Sequence, residues 1–180
     1  ENDEFEEVDN NLLISKKLGL MVFEGDKTAN LLKLGTPELN IDTGKITLPL
    51  NTTYMGQTIE LNVPKDRVSS KREIIKLSAD GADVNEINAK HHINAIAYQE
   101  KHLGMIRNIH SEIGYCMYNG KEVFKLYDAI NIDSRYCGSL DIKPKGTLDE
   151  YLKDIKNLVM PYRNMSLAFA LGVSSAVVAK

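Results

Sequence analysis

Tryptophan is absent from the 180 residues, and only two cysteines occur. So few cysteines exclude a disulfide-stapled secreted module and a cysteine-rich zinc module. The sequence also lacks the G-x-x-x-x-G-K-[ST] and G-x-G-x-x-G runs that place backbone N–H groups around phosphates. It lacks H-E-x-x-H and Cys-x-x-Cys as well, and zinc requires about four convergent ligands. These absences predict a chain with no metal site, no cofactor of its own and no nucleotide hydrolysis.

What is present is an ordinary globular composition, with 43% hydrophobic and 26% charged residues. Because domains commonly span about 150 residues, this length fits one domain with a small appendage. The formal net charge of −3 excludes a strongly basic binder of polyanions, judged by bulk charge.

Acidic residues are concentrated at the N-terminus. The first ten residues contain six acids and no base, so the remaining 170 residues carry a net charge of +3. Since like-charge runs are usually solvated, we predict that residues 1–10 form a disordered acidic head. An arm that mimics nucleic acid or regulates the protein is the alternative interpretation. No signal-peptide pattern is found here, which favours a cytoplasmic location.

The run from Ser166 to Ala179 is apolar nearly all round. Such a helix needs a buried site or a membrane, but about 14 residues is short of the roughly 20 that cross a bilayer. We therefore expect no membrane partner. We expect this helix to fold back on the preceding helix or to pair with another copy, and the parent protein to continue beyond Lys180.

Residues 11–146 are predicted to form a β-rich domain. The strongest short signal is Asn119-Gly120, because both central residues of a tight hairpin turn need positive φ. Apolar or alternating runs predict strands at Leu18–Phe23, Ala29–Leu34, Leu39–Ile41, Lys45–Leu50, Thr58–Val63, Ile113–Met117, Glu122–Tyr127, Ala129–Ile132 and Ser139–Ile142.

Two central helices are predicted within this domain, near residues 70–80 and 84–102. Ser70 and Glu73 fit a capping box at the start of the first helix, and Gly81 is a stop signal. Thr147 and Glu150 form a second capping box, which opens a C-terminal helical pair over residues 147–180. The predicted fold class is α+β: mostly antiparallel β, with two central helices and a C-terminal helical pair.

No set of residues has the pattern of a catalytic site, so we predict no catalytic residue. A cysteine nucleophile needs a positioned base, and neither cysteine has one nearby in sequence, so Cys116 and Cys137 are expected to be free, buried thiols. The histidines are interpreted as surface or half-buried residues: His91, His92, His102 and His110.

One stretch is rich in basic residues. Five bases occur within twelve residues, opposed by Asp66 and Glu73. Bases at the start of a helix suit phosphate groups, because free N–H groups and the positive end of the helix dipole lie at the same place. A plain solvated surface is the alternative interpretation. The predicted nucleic-acid-binding residues are Lys65, Arg67, Lys71, Arg72 and Lys76.

The order of several short motifs resembles the family called domain of unknown function 927. The matching segments are the helix start from Gly146 to Ile155, the Ala/Leu-rich run from Ser166 to Val178, the edge Val63-Pro-Lys-Asp66, the helix stop at Gly81, and Gly114-Tyr115, where the family usually has Trp after the glycine. The resemblance spans the chain from about Leu18 to Lys180. It transfers no ATP-binding residue, since none of the matching positions is present.

Members of that family occur in phages, prophages and other mobile elements. They look like replication helicases or primase-helicases with an AAA+-like ATPase after this region, and some resemble the minichromosome-maintenance-like helicases of staphylococcal cassettes and islands. The resemblance implies a non-catalytic N-terminal domain of such a helicase, which contacts DNA and helps order subunits in a ring. Its expected partners are DNA, further copies of the chain and a downstream ATPase domain. A protein-interaction or structural module without nucleic-acid contact is the alternative, and a stand-alone enzyme is a third class.

Overall fold

The computed structural model describes residues 5–178, with side chains up to residue 172. The chain begins with a meander, a four-stranded antiparallel sheet whose strands follow one another in chain order. Its strands are β1 (Glu6–Asp9), β2 (Leu12–Ser15), β3 (Leu20–Phe23) and β4 (Lys27–Asn30). Side chains alternate along each strand, so one face of the meander is apolar and buried.

The prediction of a disordered head is wrong for residues 6–9, because they form β1. Val8 packs against the buried face of the meander. The acids of this strand also have partners: Glu6 pairs with Lys16 at 3.2 Å, and Asp9 accepts a hydrogen bond from Asn94 at 3.1 Å. One apolar contact and two polar contacts therefore fix a segment whose composition indicates disorder. Residues 1–4 of the predicted head lie outside the described residues.

A second, central sheet has six strands. They are β5 (Lys33–Leu34), β6 (Glu38–Asn40), β7 (Ile46–Tyr54), β8 (Gln57–Pro64), β9 (Arg107–His110) and β13 (Ser134–Tyr136). Strand β7 pairs antiparallel with β8 along one edge and with β5 and β6 along the other. Strand β9 pairs parallel with the outer edge of β6, and β13 pairs parallel with β9.

The two predicted central helices are present with different details. The first, predicted near residues 70–80, is α2 (Lys71–Ile75) followed by a 3₁₀ turn (Lys76–Asp80), which ends at Gly81 with φ of 91°. A further short helix, α1 (Lys65–Val68), precedes it and is not predicted from the sequence. The second is α3 (Ala89–Leu103), five residues later than predicted. Its start is delayed because Asn85 and Asn88 form a hydrogen-bonded turn just before it.

Helix α3 lies between the meander and the central sheet. Ala95 packs into the meander core, whereas Ala89 and Ile96 pack into the core of the central sheet. The buried Gln99 ties the helix to the start of the central sheet: its Oε1 accepts from the N–H of Leu34 at 3.0 Å, and its Nε2 donates to the carbonyl of Leu32 at 3.0 Å. Every buried amide atom of this side chain is therefore paired, as burial requires.

The third sheet is small and antiparallel, with β10 (Gly114–Tyr118), β11 (Lys121–Lys125) and β12 (Ala129–Ile130). The hairpin predicted at Asn119-Gly120 is confirmed, and both residues have positive φ, 50° and 75°. The strand predicted at Ser139–Ile142 is wrong. The chain forms β13 a few residues earlier instead, where parallel pairing with β9 is possible.

The C-terminal helical pair is confirmed as α4 (Leu148–Asp154), a π-helical turn (Ile155–Val159) and α5 (Arg163–Val178). The capping box at Thr147 and Glu150 forms as predicted. With mostly antiparallel sheets, central helices and this pair, the α+β fold class is confirmed. Within the described residues, no helix is both long and apolar enough to cross a membrane.

The expected fold-back of α5 on α4 is limited to their junction. Ser166 Oγ lies 3.2 Å from the carbonyl oxygen of Val159 and 3.0 Å from that of Tyr162. Beyond this junction, large apolar side chains of both helices remain mostly exposed. They include Leu148, Tyr151, Leu152, Leu158, Leu167 and Leu171.

Candidate nucleic-acid interface

The predicted basic residues lie on α1, α2 and the first residue of the 3₁₀ turn. Val68, Ile74 and Leu77 anchor these three short elements in the core of the central sheet. Because these anchors face inward, the basic side chains between them face solvent, and all five basic residues are exposed. The structure therefore exposes each of the predicted residues to solvent.

Two of the five cations are engaged in ion pairs. Lys65 Nζ lies 2.9 Å from a carboxylate oxygen of Glu100 on α3, and Lys76 Nζ lies 2.7 Å from Glu73. The remaining three, Arg67, Lys71 and Arg72, have no ion pair with any residue in the described part of the chain. We call these three residues the exposed basic face.

Two acids border this face in sequence: Asp66 directly precedes Arg67, and Glu73 directly follows Arg72. Hydrogen bonding from Lys76 lowers the pKa of Glu73 below its usual value, and the charges of Lys76, Arg72 and Arg67 lower it further. The guanidinium groups of Arg67 on α1 and Arg72 on α2 therefore both act on the Glu73 carboxylate. The Glu73 carboxylate binds the Lys76 ammonium group and offsets part of the positive charge of Lys76.

The predicted capping box at Ser70 and Glu73 is wrong. Ser70 occupies the N-cap position, but its side chain makes no capping hydrogen bond. The Glu73 carboxylate accepts from Lys76 at 2.7 and 2.8 Å instead, because an ammonium group is a stronger donor than a neutral backbone N–H. Since α2 has only five residues, its dipole adds little, and the exposed side chains carry the positive charge.

A buried ion pair lies where the central and small sheets meet, and the sequence does not indicate it. Asp42 and Lys125 side chains are only 6% and 4% exposed, and Lys125 Nζ donates to Asp42 Oδ1. The other oxygen, Oδ2, accepts from the backbone N–H of Ser111 at 2.7 Å and of Glu112 at 2.9 Å. Burial alone raises the pKa of Asp42, but the Lys125 hydrogen bond and the two backbone N–H groups outweigh it, so its pKa lies below the usual value.

A serine and a histidine lie in contact beside this pair. His110 Nε2 is 2.5 Å from the carbonyl oxygen of Leu126, which only accepts, so Nε2 carries the proton. His110 Nδ1 therefore accepts from the Ser134 hydroxyl at 2.9 Å. Both residues are buried, at 0% and 4% exposure, so the hydroxyl is closed to a substrate. The contact is structural.

The other candidate ligands and nucleophiles lie apart. Both cysteines are free, as predicted, but the prediction that they are buried is wrong: Cys116 is half-buried and Cys137 is exposed. The prediction of surface or half-buried histidines is wrong for His92 and His110, which are fully buried. Among the described residues, no group of three or more His, Cys, Asp or Glu side chains is placed to hold a metal ion.

Comparison with known proteins does not assign this chain to a family. No family model matches the chain, so the resemblance to the 927 family rests on motif order alone. No curated protein matches it. One solved structure with a similar arrangement is described as "SCCmec type IV Cch - active helicase", with 15% identity and a TM-score of 0.43 over 86% of this chain. This chain spans only 30% of that protein, and a likeness at this level assigns it neither a fold family nor an activity.

Proposed function

We propose that this chain is a non-catalytic domain of a helicase-like ATPase from a mobile element, and that the exposed basic face contacts the phosphates of DNA. The observation that carries the DNA contact is the set Arg67, Lys71 and Arg72, three exposed cations without an ion pair in the described residues. The helicase context is supported by the motif order that resembles the 927 family.

Contacts between basic side chains and phosphates release counterions, so binding weakens as salt rises. For single-stranded DNA, each phosphate contact contributes about 0.7 to the slope of log affinity against log salt. If Lys71 and Arg72 each hold one phosphate, their loss reduces that slope by about 1.4. A surface that is only solvated contributes nothing to it.

The test measures binding of a fluorescent oligo-dT to the 180-residue chain by anisotropy across a salt series. The double variant Lys71→Glu/Arg72→Glu is compared with a matched control on α3, Lys90→Glu/Lys101→Glu. Both variants change the net charge equally, and all four residues are exposed, so circular dichroism is expected to show intact folding. We expect weaker binding and a flatter slope for the first variant alone. Equal binding by the first variant and the parent replaces the DNA proposal with the interaction-module alternative.

Subunit organisation is the second part of the proposal, and the C-terminal helices support it. Leu152 and Leu158 are 53% and 61% exposed on the α4 segment, and comparable apolar side chains line α5. Several large, exposed apolar side chains on one helical segment favour an interaction site. We expect association that rises with concentration in sedimentation velocity, and its loss in Leu152→Glu/Leu158→Glu. A monomer at every concentration contradicts this part alone.

Nucleotide hydrolysis is assigned to a different part of the parent protein, because the sequence has no phosphate loop. We expect the purified 180-residue chain to release no phosphate from ATP, with or without DNA. DNA-stimulated phosphate release that co-purifies with the chain would overturn the non-catalytic assignment.

A further inference from the structure

A small cleft opens where the meander meets the β7–β8 hairpin, away from the α1–α2 segment. Its volume is about 110 Å³. A water molecule occupies about 30 Å³ in the liquid, so the cleft has room for more than one water. Its polar lining consists of Lys33, Asn51, Thr52, Thr53 and Thr58.

The polar lining is rich in hydrogen-bond donors. It offers one ammonium group, one amide and the hydroxyls of Thr53 and Thr58, and no described residue that lines it has a carboxylate. Ammonium, amide N–H and hydroxyl groups all donate to oxygen, so this set suits a ligand with several acceptor oxygens. Two acids lie in the neighbourhood without lining the cleft. Glu60 is opposite Asn51 in β8, and Asp83 accepts from the N–H of Asn30.

Among the described residues that line the cleft, Lys33 alone is charged, and its side chain is only half-buried. Within the described part of the chain it makes no ion pair or hydrogen bond. Its side chain passes over Gly19: a Cβ added to Gly19 would lie 3.3 Å from Lys33 Cε and 3.5 Å from Nζ. The missing side chain at Gly19 therefore leaves the space in which Lys33 lies. A cation that has lost part of its water without gaining a counterion favours an anion nearby.

Thr52 does not belong to this donor set. Side chains alternate along β7, so the buried Thr52 side chain faces the core of the central sheet with Leu48 and Leu50, whereas Asn51 and Thr53 lie on the other face. Lys33 pairs with Asn51, and Thr58 pairs with Thr53, so these four side chains share the face that lines the cleft. The Lys33 ammonium is therefore the observation that points to a missing acceptor at this cleft.

We infer that this cleft binds a phosphate group, with the Lys33 ammonium as the charged donor and the Thr53 and Thr58 hydroxyls and the Asn51 amide as neutral donors. A phosphate has several acceptor oxygens and a negative charge, which matches the donor set and the unpaired cation. The phosphate is either a free anion or part of a nucleic-acid backbone. The inference does not depend on the proposed function, because the exposed basic face is formed by different residues.

The test is a titration with sodium phosphate, at ionic strength held constant with sodium chloride, followed by thermal unfolding. A ligand that binds only the folded chain raises the midpoint in proportion to the logarithm of its concentration above Kd. We expect this rise for the wild type and for the control Lys90→Met, an exposed lysine at the start of α3. We expect it to be lost in Lys33→Met, since removing a charge-assisted hydrogen bond weakens binding roughly tenfold or more.

A second arm replaces inorganic phosphate with oligo-dT in the background of Lys71→Glu/Arg72→Glu, so that the exposed basic face does not contribute. A Lys33-dependent rise with inorganic phosphate identifies a free anion, and one with oligo-dT alone identifies a backbone phosphate. Thr58→Val, an exposed position, is the second variant should Lys33→Met fail to fold, and it is expected to weaken the same response. The inference is overturned if neither ligand shifts the wild-type midpoint, or if Lys33→Met and Thr58→Val respond as the wild type does.

Discussion

His92 is predicted to make the folded chain sensitive to mild acid. Its side chain is fully buried on α3, where Nε2 donates to the carbonyl of Asp83 at 2.9 Å and Nδ1 has no partner among the described residues. Burial lowers the pKa of His92 to about 4; the Asp83 carbonyl and carboxylate oppose this shift, and the charge of His91 adds to it. The folded chain therefore keeps this imidazole neutral down to about pH 4, whereas the unfolded chain binds a proton below about pH 6.5.

The sign of the effect follows from proton binding. Between about pH 6.5 and pH 4 the unfolded state holds more protons than the folded state, so stability falls as the pH falls. Each pKa unit corresponds to about 1.4 kcal/mol, so the full loss is about 3 kcal/mol. Because domains are stable by only about 5–15 kcal/mol, this loss is a large fraction of the total.

The assay is urea unfolding followed by circular dichroism at pH 7 and pH 4.5. We expect the wild type to lose about 2–3 kcal/mol more than His92→Gln between the two pH values, because glutamine does not titrate. The control is His102→Gln, an exposed position on the same helix, which is expected to retain the wild-type pH dependence. Equal losses in the wild type and His92→Gln would refute this reasoning.

Three further predictions concern local structure. Asp42→Asn is expected to cost about 3–5 kcal/mol in urea unfolding, since it leaves Lys125 buried without its counter-charge, and a change below about 1 kcal/mol would contradict this. Thr147→Ala is expected to cost about 1 kcal/mol of local stability in α4, seen as faster amide exchange there. Ser70→Ala is expected to change the stability of α2 by less than about 0.5 kcal/mol, because the Ser70 hydroxyl makes no capping hydrogen bond. Equal effects of the two substitutions would show that capping does not distinguish the two helices. Gly120→Val is expected to destabilise the β10–β11 hairpin by more than about 1 kcal/mol, because a β-branched residue resists the positive φ there, and an unchanged unfolding midpoint would contradict that.

Features that depend on neighbours in sequence were predictable. The Asn119-Gly120 hairpin and the Thr147 capping box form from interactions within a few residues, and both are confirmed. The Ser70 capping box had the same sequence pattern but did not form, because Glu73 binds Lys76 instead. Local patterns therefore predict an element well only when no stronger local partner competes.

Features that depend on distant residues were not predictable. The buried pair joins Asp42 to Lys125, 83 positions apart, and nothing near either residue indicates the other. The same limit applies to the basic stretch: the sequence predicts its five cations, but Glu100, 35 positions from Lys65, neutralises one of them. Strand β13 is short and polar, and only its pairing with β9 makes it a strand.

The parallel pairing of β6 with β9 also determines the order in which the chain is completed during synthesis. By the time residue 64 leaves the ribosome, the meander and the antiparallel part of the central sheet have all their strands. The outer edge of β6 has no partner until Arg107–His110 is made, which begins 67 residues after Asn40, the last residue of β6. An open strand edge is a template for pairing with another chain, and nascent chains grow at only about 5–20 residues per second. The edge of β6 is thus open to intermolecular strand pairing for several seconds in the nascent chain, and β9 closes it once residues 107–110 are made.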